Sequence, residues 1–197
     1  MNHETLKDLF VEQIRDIYDA EKQLVRAIPK LAKTANSREL AEALRNHLEQ
    51  TQNHVSRLED VFGTVGAAVK GKPCKGMKGL IEEGNEAAQE EEKGLLRDLA
   101  IIAGAQKVEH YEISAYGTAR TLAEQLGIDE AIDLLQHTED EEKEADVRLT
   151  KVAMTLYESA HEEEGEEADS ENETAPVSAS RSGRGAAAKG KTSNAAR

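Results

Sequence analysis

Four stretches of this sequence carry apolar residues at three- and four-residue intervals, and the links between them run short, long, short. Such intervals predict amphipathic helices. The first runs from about Glu4 to about Lys33, with Leu6, Leu9, Phe10, Ile14, Ile17, Leu24, Ile28 and Leu31 on one side. Pro29 lies inside it and is expected to bend or interrupt the last turns. "TANSRE" turns the chain, with Ser37 as an N-cap. The second helix runs from about Arg38 to Phe62 through Leu40, Leu44, Leu48, Val55, Leu58 and Phe62. A Gly- and Lys-rich stretch, "GTVGAAVKGKPCKGMKG", reads as a loop and leads to a short helical piece over Leu80 to about Gln89. The third long helix runs from near Lys93 to Gln125, where Gly127 stops it and Asp129 caps the next. The fourth runs from about Glu130 to Tyr157.

Short links make helices one and two, and helices three and four, antiparallel neighbours. The long link excludes a simple up-down-up-down arrangement, which needs three short turns. The expected fold is all-α: a ferritin-like four-helix bundle over residues 1–160, with one long crossover between helices two and three. Composition agrees, since aromatic residues are 3% of the chain and Trp is absent. The abundant Ala, Leu, Glu, Lys and Gln are strong helix formers.

The segment "QKVEHYEISAYG", residues 106 to 117, breaks the usual rule for such a helix. Its apolar stripe is Leu99, Ile102, Ala105, Ile113 and Tyr116, and Glu109 and Glu112 fall inside that stripe. A buried, unpaired carboxylate is costly or takes up a proton. The other helices carry similar intrusions. Glu21 lies between Ile17 and Leu24. "HLEQTQNH" sets His47, Glu49, Thr51, Gln52 and His54 beside Leu48 and Val55. Glu142 lies seven residues from both Leu135 and Leu149, with Asp146 one turn further on.

Counting from the turns puts these groups at one level. Glu21 is 15 residues before Asn36 and Glu49 is 13 after it, so both lie about 20 Å down the bundle. Glu112 and Glu142 are each 15 residues from Gly127, or about 22 Å in. Glu109 and Asp146 share the next level. Carboxylates gathered this closely repel one another and cannot all stay ionised in an empty core. Two cations resolve the conflict, because carboxylates bridge metals and imidazole suits iron, manganese or zinc. The usual kit of such bundles is a Glu from each of two helices and Glu-x-x-His from each of the others. Here Glu109-x-x-Glu112 and Glu49-x-x-Gln52 stand instead, and on helix two either Glu49 or His54 can fill the metal level. The candidate ligands are therefore Glu21, Glu49, His54, Glu109, Glu112, Glu142 and Asp146. Glu139, Glu141 and Glu144 read as solvated. Tyr111 and Tyr116 lie close by, as packing residues or as donors of electrons or hydrogen bonds.

A net charge of −14 argues against a general nucleic-acid binder. The single cysteine, Cys74, excludes an internal disulfide and reads as an exposed loop thiol without a role. No apolar run reaches the roughly 20 residues of a membrane span, and "MNHETLKDLF" lacks a signal-peptide core; the expected location is the cytoplasm. From residue 161 the pattern changes. "HEEEGEEADSENE" has eight acids in thirteen residues, and the following stretch to Arg197 has five Lys or Arg and no acid. Both are expected to be disordered. The basic end has the charge to touch nucleic acid, a membrane or acidic partners; the simpler reading is a solubilising appendage screened by the acidic block.

"DIYDAEKQL" (16–24), "HLEQT" (47–51), "GLIEEGNE" (79–86), "AQKVEHYEISAYGT" (105–118), "LAEQLG" (122–127) and "EEKEADVRLT" (141–150) resemble the YciF-type ferritin-like bacterial stress protein family. The resemblance spans about residues 4 to 158. It implies a ferritin-like fold, a homodimer, a di-iron or dimanganese site and expression under general stress. Glu21, Glu109, Glu112 and Glu142 sit in its motifs, and Glu49 matches within "HLEQT". Two functions follow as expectations. One is a carboxylate-bridged centre of two iron or manganese ions that reacts with peroxide or dioxygen. The other is a non-catalytic helical stress protein that holds metal passively or uses its polar core to set dimer register. Iron storage in a shell has no support in the sequence.

Overall fold

The structure is a computed structural model that describes residues 3–90 and 92–173. Five helices account for nearly all of them: α1 (His3–Thr34), α2 (Arg38–Thr64), α3 (Lys75–Glu90), α4 (Leu95–Leu126) and α5 (Asp129–Glu173). Among the described residues there is no strand. α1 runs unbroken through Pro29. Ser37 caps α2 by accepting a hydrogen bond from the Leu40 amide at 3.2 Å. Gly127 ends α4 in the left-handed region, at φ 67°, where a residue without Cβ is least strained.

The long connection holds more helix than its composition suggests. α3 begins at Lys75 because the chain before it is pinned to α1. Asp19 accepts a hydrogen bond from the Cys74 amide at 2.8 Å, and the Arg15 carbonyl accepts one from the Lys72 amide at 3.0 Å. Cys74 then starts the helix, its carbonyl accepting from the Lys78 amide at 3.2 Å. The thiol is therefore buried, and the expectation of an exposed loop cysteine is corrected. Its Sγ lies 2.9 Å from the Tyr111 hydroxyl, which donates to Asp16 at 2.8 Å. Gly76 lets the Tyr111 ring close on α3, since a Cβ there would meet the ring at 3.0 Å.

Asp98 ties the α1–α2 turn to the start of α4. It is buried and accepts from the amides of Asn36 and Ser37, each at 2.7 Å. Asp98→Ala would leave two amide donors without their shared acceptor. A loss of about 2–3 kcal/mol in urea unfolding is expected; a change below about 0.5 kcal/mol would mean that water replaces the carboxylate.

Buried apolar side chains form two clusters. The first draws on Leu24 and Ile28 of α1, Leu40 and Leu44 of α2, Met77 of α3, Ile101 and Val108 of α4, and Leu149 and Val152 of α5. The second draws on Phe10 and Ile17 of α1, Leu58 and Phe62 of α2, Tyr116 and Ala123 of α4, and Ala131 and Leu135 of α5. Four helices feed both clusters, and α3 feeds the first. The start of α1 meets the end of α2, and the end of α4 meets the start of α5, so each of these pairs is antiparallel. Between the clusters each of the four helices contributes polar side chains instead.

The described residues up to His161 form one compact unit, and those from Glu162 on belong to another. The sequence reading ends the last helix near Tyr157 and leaves the acidic block unstructured. α5 instead continues to Glu173. Glu and Ala extend an existing helix readily, and extension needs no apolar face once a nucleus exists. The basic stretch from 174 to 197 lies outside the described residues. No helix among the described residues is long and apolar enough to cross a membrane.

Candidate metal centre

The polar layer fills the gap in each stripe. α1 supplies Glu21, α2 supplies His47, Thr51 and His54, α4 supplies Glu109 and Glu112, and α5 supplies Glu142, all of them buried. His47, Thr51 and His54 are spaced four and three apart, so they continue the face of Leu40 and Leu44 toward Leu58. Thr51 needs no partner outside its own helix, because its hydroxyl donates to the His47 carbonyl at 2.8 Å.

Donor atoms of these residues converge in two groups, each within 4.8 Å: His47, Glu109, Glu112 and Glu142, and Glu21, His54 and Glu142. Glu142 belongs to both. His54 Nδ1 is 2.9 Å from Glu142 Oε1 and 3.3 Å from Glu21 Oε1. His47 Nε2 is 3.4 Å from Glu109 Oε1 and 3.8 Å from Glu142 Oε2.

Most of these atoms lack a well-directed hydrogen bond. Among the described residues, every buried side-chain polar atom without a hydrogen-bond partner, apart from Arg15 Nε, belongs to Glu21, His47, His54, Glu109, Glu112 or Glu142. Both oxygens of Glu112 and both of Glu142 are in that set. Native interiors rarely leave such atoms unsatisfied, and a bound ion is one of the few explanations. Carboxylate and imidazole donors fit a divalent or trivalent first-row metal. These residues therefore suit the group that the sequence implies.

Electrostatics agree with the geometry. Burial pushes Glu109 and Glu112 well above the usual carboxylate range, and neighbouring carboxylates push them further. Burial also raises Glu21, against the pull of His54. Burial alone would raise Glu142 too, but His54 and His47 outweigh it and bring it down to about 2. His54 is the mirror case: burial disfavours its charge, yet Glu142 and Glu21 lift it to about 10. Without metal, protons stand in for cations in this layer.

An outer ring orients the donors. Glu141 Oε2 sits 2.9 Å from His54 Nε2 and accepts from Arg57 Nη1 at 2.5 Å, while Arg57 also reaches Thr138. That chain holds the imidazole ring with Nδ1 toward Glu21 and Glu142. Tyr116 donates to Glu21 Oε1 at 2.5 Å. His47 has no such anchor: its Nδ1 is unpartnered. Carboxylates behind a metal-facing histidine set its orientation and basicity. Arg57→Met should thus weaken metal affinity about 10- to 100-fold with the helix content retained. Competition with a chelator measures this, and unchanged affinity would remove Arg57 and Glu141 from the site.

The candidate ligands named from sequence separate cleanly. Glu21, His54, Glu109, Glu112 and Glu142 come together. Glu49 is exposed, because two residues along a helix turn it away from the His47 side. Asp146 is half-buried beyond the two groups, where its Oδ1 accepts from Gln106 at 2.9 Å. His47 was missing from the candidate set; its seven-residue spacing to His54 was the available signal. Glu141 and Glu139 are not simply solvated. Glu141 backs His54, and Glu139 is buried against Arg120 and Lys143. Tyr116 is a hydrogen-bond donor to the layer as well as a packing residue. A groove of about 600 Å³ runs between α2 and α5, and of the six donor residues only His47 and Glu109 line it.

Comparison with known proteins places the chain. Residues 5–162 match a family described as a domain of unknown function, DUF892. The chain is 46% identical over 155 residues to protein YciF of Escherichia coli (strain K12), covering 78% of this chain and 93% of that one. The crystal structure of the E. coli stress protein YciF matches with a TM-score of 0.75 at 45% identity, over 78% of this chain and 97% of that chain. YcfI from Rhodopseudomonas palustris matches with a TM-score of 0.72 at 42% identity, over 74% and 92%. The chain belongs to the DUF892 family, that of the YciF-type stress proteins.

Proposed function

We propose that this protein is a ferritin-like di-metal protein of the stress response that consumes peroxide, with dioxygen as the alternative oxidant. The observation that carries this reading is the position of Glu142 in both donor groups, so that one carboxylate would be shared by two ions held there. In this reading α1, α2, α4 and α5 are the four helices of the bundle, and α3 lies on the long crossover. Glu21, His54 and Glu142 hold one ion; His47, Glu109, Glu112 and Glu142 hold the other. Iron or manganese bound there supplies two-electron redox chemistry.

The chain's own residues do the rest. Glu141 and Arg57 keep the His54 ring in place. Tyr116 fixes the orientation of Glu21. The two apolar clusters above and below exclude water from the inner group. His47 and Glu109 face the groove, and so form the side from which a small oxidant reaches the layer.

Elemental analysis of aerobically purified protein, followed by peroxide consumption with iron and with manganese, tests the proposal. About two ions per chain and turnover that is lost in Glu142→Ala are expected. Full metal content with no consumption of peroxide or dioxygen would leave a passive metal holder instead.

A further inference from the structure

The groove between α2 and α5 is far larger than hydrogen peroxide requires. A water molecule takes about 30 Å³ of liquid, and the groove measures about 600 Å³. That lies within the roughly 300–1,000 Å³ of sites that take small organic molecules. Its walls include Ala43 and Leu44 of α2 and Val147 and Leu149 of α5, and His47 and Glu109 line it from the donor layer. Val147 is 51% exposed, an apolar side chain left open to the groove.

The charges along α5 add a second constraint. Lys143, which also lines the groove, is engaged by Glu139 and Asp140. Arg148 and Lys151 line it too, and neither forms an ion pair among the described residues. Glu144 and Glu109 also line the groove, so its affinity for an anion rests on Arg148 and Lys151 standing unpaired rather than on a net excess of charge. On a chain of net charge −14, two uncommitted cations beside an apolar trough suit a molecule with an anionic head and an apolar body.

We propose that this groove binds an amphipathic carboxylate and that the peroxide consumed at the layer is the hydroperoxide of such an acid. The assignment rests on the peroxide reading above and names its substrate class. Arg148 and Lys151 take the carboxylate, the apolar walls take the chain, and the hydroperoxide group reaches His47 and Glu109. The O–O bond breaks as ROOH takes up two electrons and two protons to give ROH and water. Two ions loaded in the reduced state at the proposed centre would supply the electrons for one equivalent of hydroperoxide, and solvent would supply the protons.

The test uses the full-length, metal-loaded protein with linoleate as the unreactive ligand, and linoleic acid hydroperoxide and hydrogen peroxide as substrates. Calorimetry should show saturable linoleate binding, one molecule per chain. Val147→Trp, which narrows the groove from an exposed position, should weaken binding at least tenfold. Arg148→Gln combined with Lys151→Gln should do the same. With the protein loaded with reduced metal, the ratio of the single-turnover rate constant for the organic hydroperoxide to that for hydrogen peroxide should fall about tenfold in both variants. No saturable binding, or equal binding in all three proteins, overturns the proposal. So does an intermolecular disulfide formed quantitatively by Val147→Cys, because a second copy would then cover the groove. Groove-dependent linoleate binding without consumption of either peroxide overturns the peroxide reading, and the substrate assignment with it.

Discussion

Removing the metal is expected to lower the melting temperature by about 10 °C near pH 8, and the difference should shrink on acidification. The metal-free protein carries the sign. Glu109 and Glu112 have raised values, so their contribution to stability is complete below the ordinary carboxylate value of 4.5 and is lost as pH climbs through their folded values. His54 acts in the same direction between its ordinary 6.5 and about 10. Glu142, held down to about 2, contributes above 4.5 and loses that contribution only in strong acid. Metal-free protein should therefore be most stable near pH 4.5 and weaken progressively toward alkaline pH. Metal binding runs the other way, because its ligands must shed protons first. Calorimetric melts at pH 5.5 and pH 8, with and without chelator, measure both trends. A metal-free protein that melts higher at pH 8 than at pH 5.5 would show that the layer is not a set of protonated carboxylates.

Glu142→Ala is expected to cost the protein both ions, and no other single ligand substitution should do so. Glu142 alone belongs to both donor groups. His47→Ala removes a donor from one group and His54→Ala from the other, so each should leave about one ion per chain. Glu49→Ala and Asp146→Ala should keep about two, since neither residue joins a group. Glu142→Gln separates charge from shape: it keeps the volume and should still lose most of the metal. Helicity measured alongside guards against unfolding, because Glu142→Ala also strips His54 of one of its two carboxylate partners at 2.9 Å. Retention of both ions in Glu142→Ala would place the metal elsewhere.

One cause separates the parts of the layer that are legible in the sequence from those that are not. On α4 the stripe continues on both sides of Glu109 and Glu112, so two carboxylates inside it stand out. On α2 the polar residues replace the stripe altogether. A search for apolar residues bridges from Leu44 to Leu58 through Leu48 and Val55, but the buried line runs through His47, Thr51 and His54. That shift brings Glu49 forward and hides His47. The same kind of local signal misplaced Cys74, whose Gly- and Lys-rich surroundings say nothing of Asp19 on a distant helix. Glu139 and Glu141 look like members of a solvated acidic run until Arg120 and Arg57 are seen to reach them.

Periodicity determined which segments are helical, connection lengths determined which neighbours run antiparallel, and a count of residues from each turn set the level at which carboxylates meet. These properties follow from one helix at a time, with a fixed rise and a fixed turn per residue. Which atoms face each other was decided only by how the helices pack. The rotation of a helix about its axis, at about 100° per residue, decides whether a side chain enters the layer, stands behind a ligand, as Glu141 does, or points to solvent, as Glu49 does. The groove is of the same kind. No residue in "KEADVRLTK" announces it, because it exists only where α5 stands beside α2 and leaves His47 and Glu109 at its inner wall.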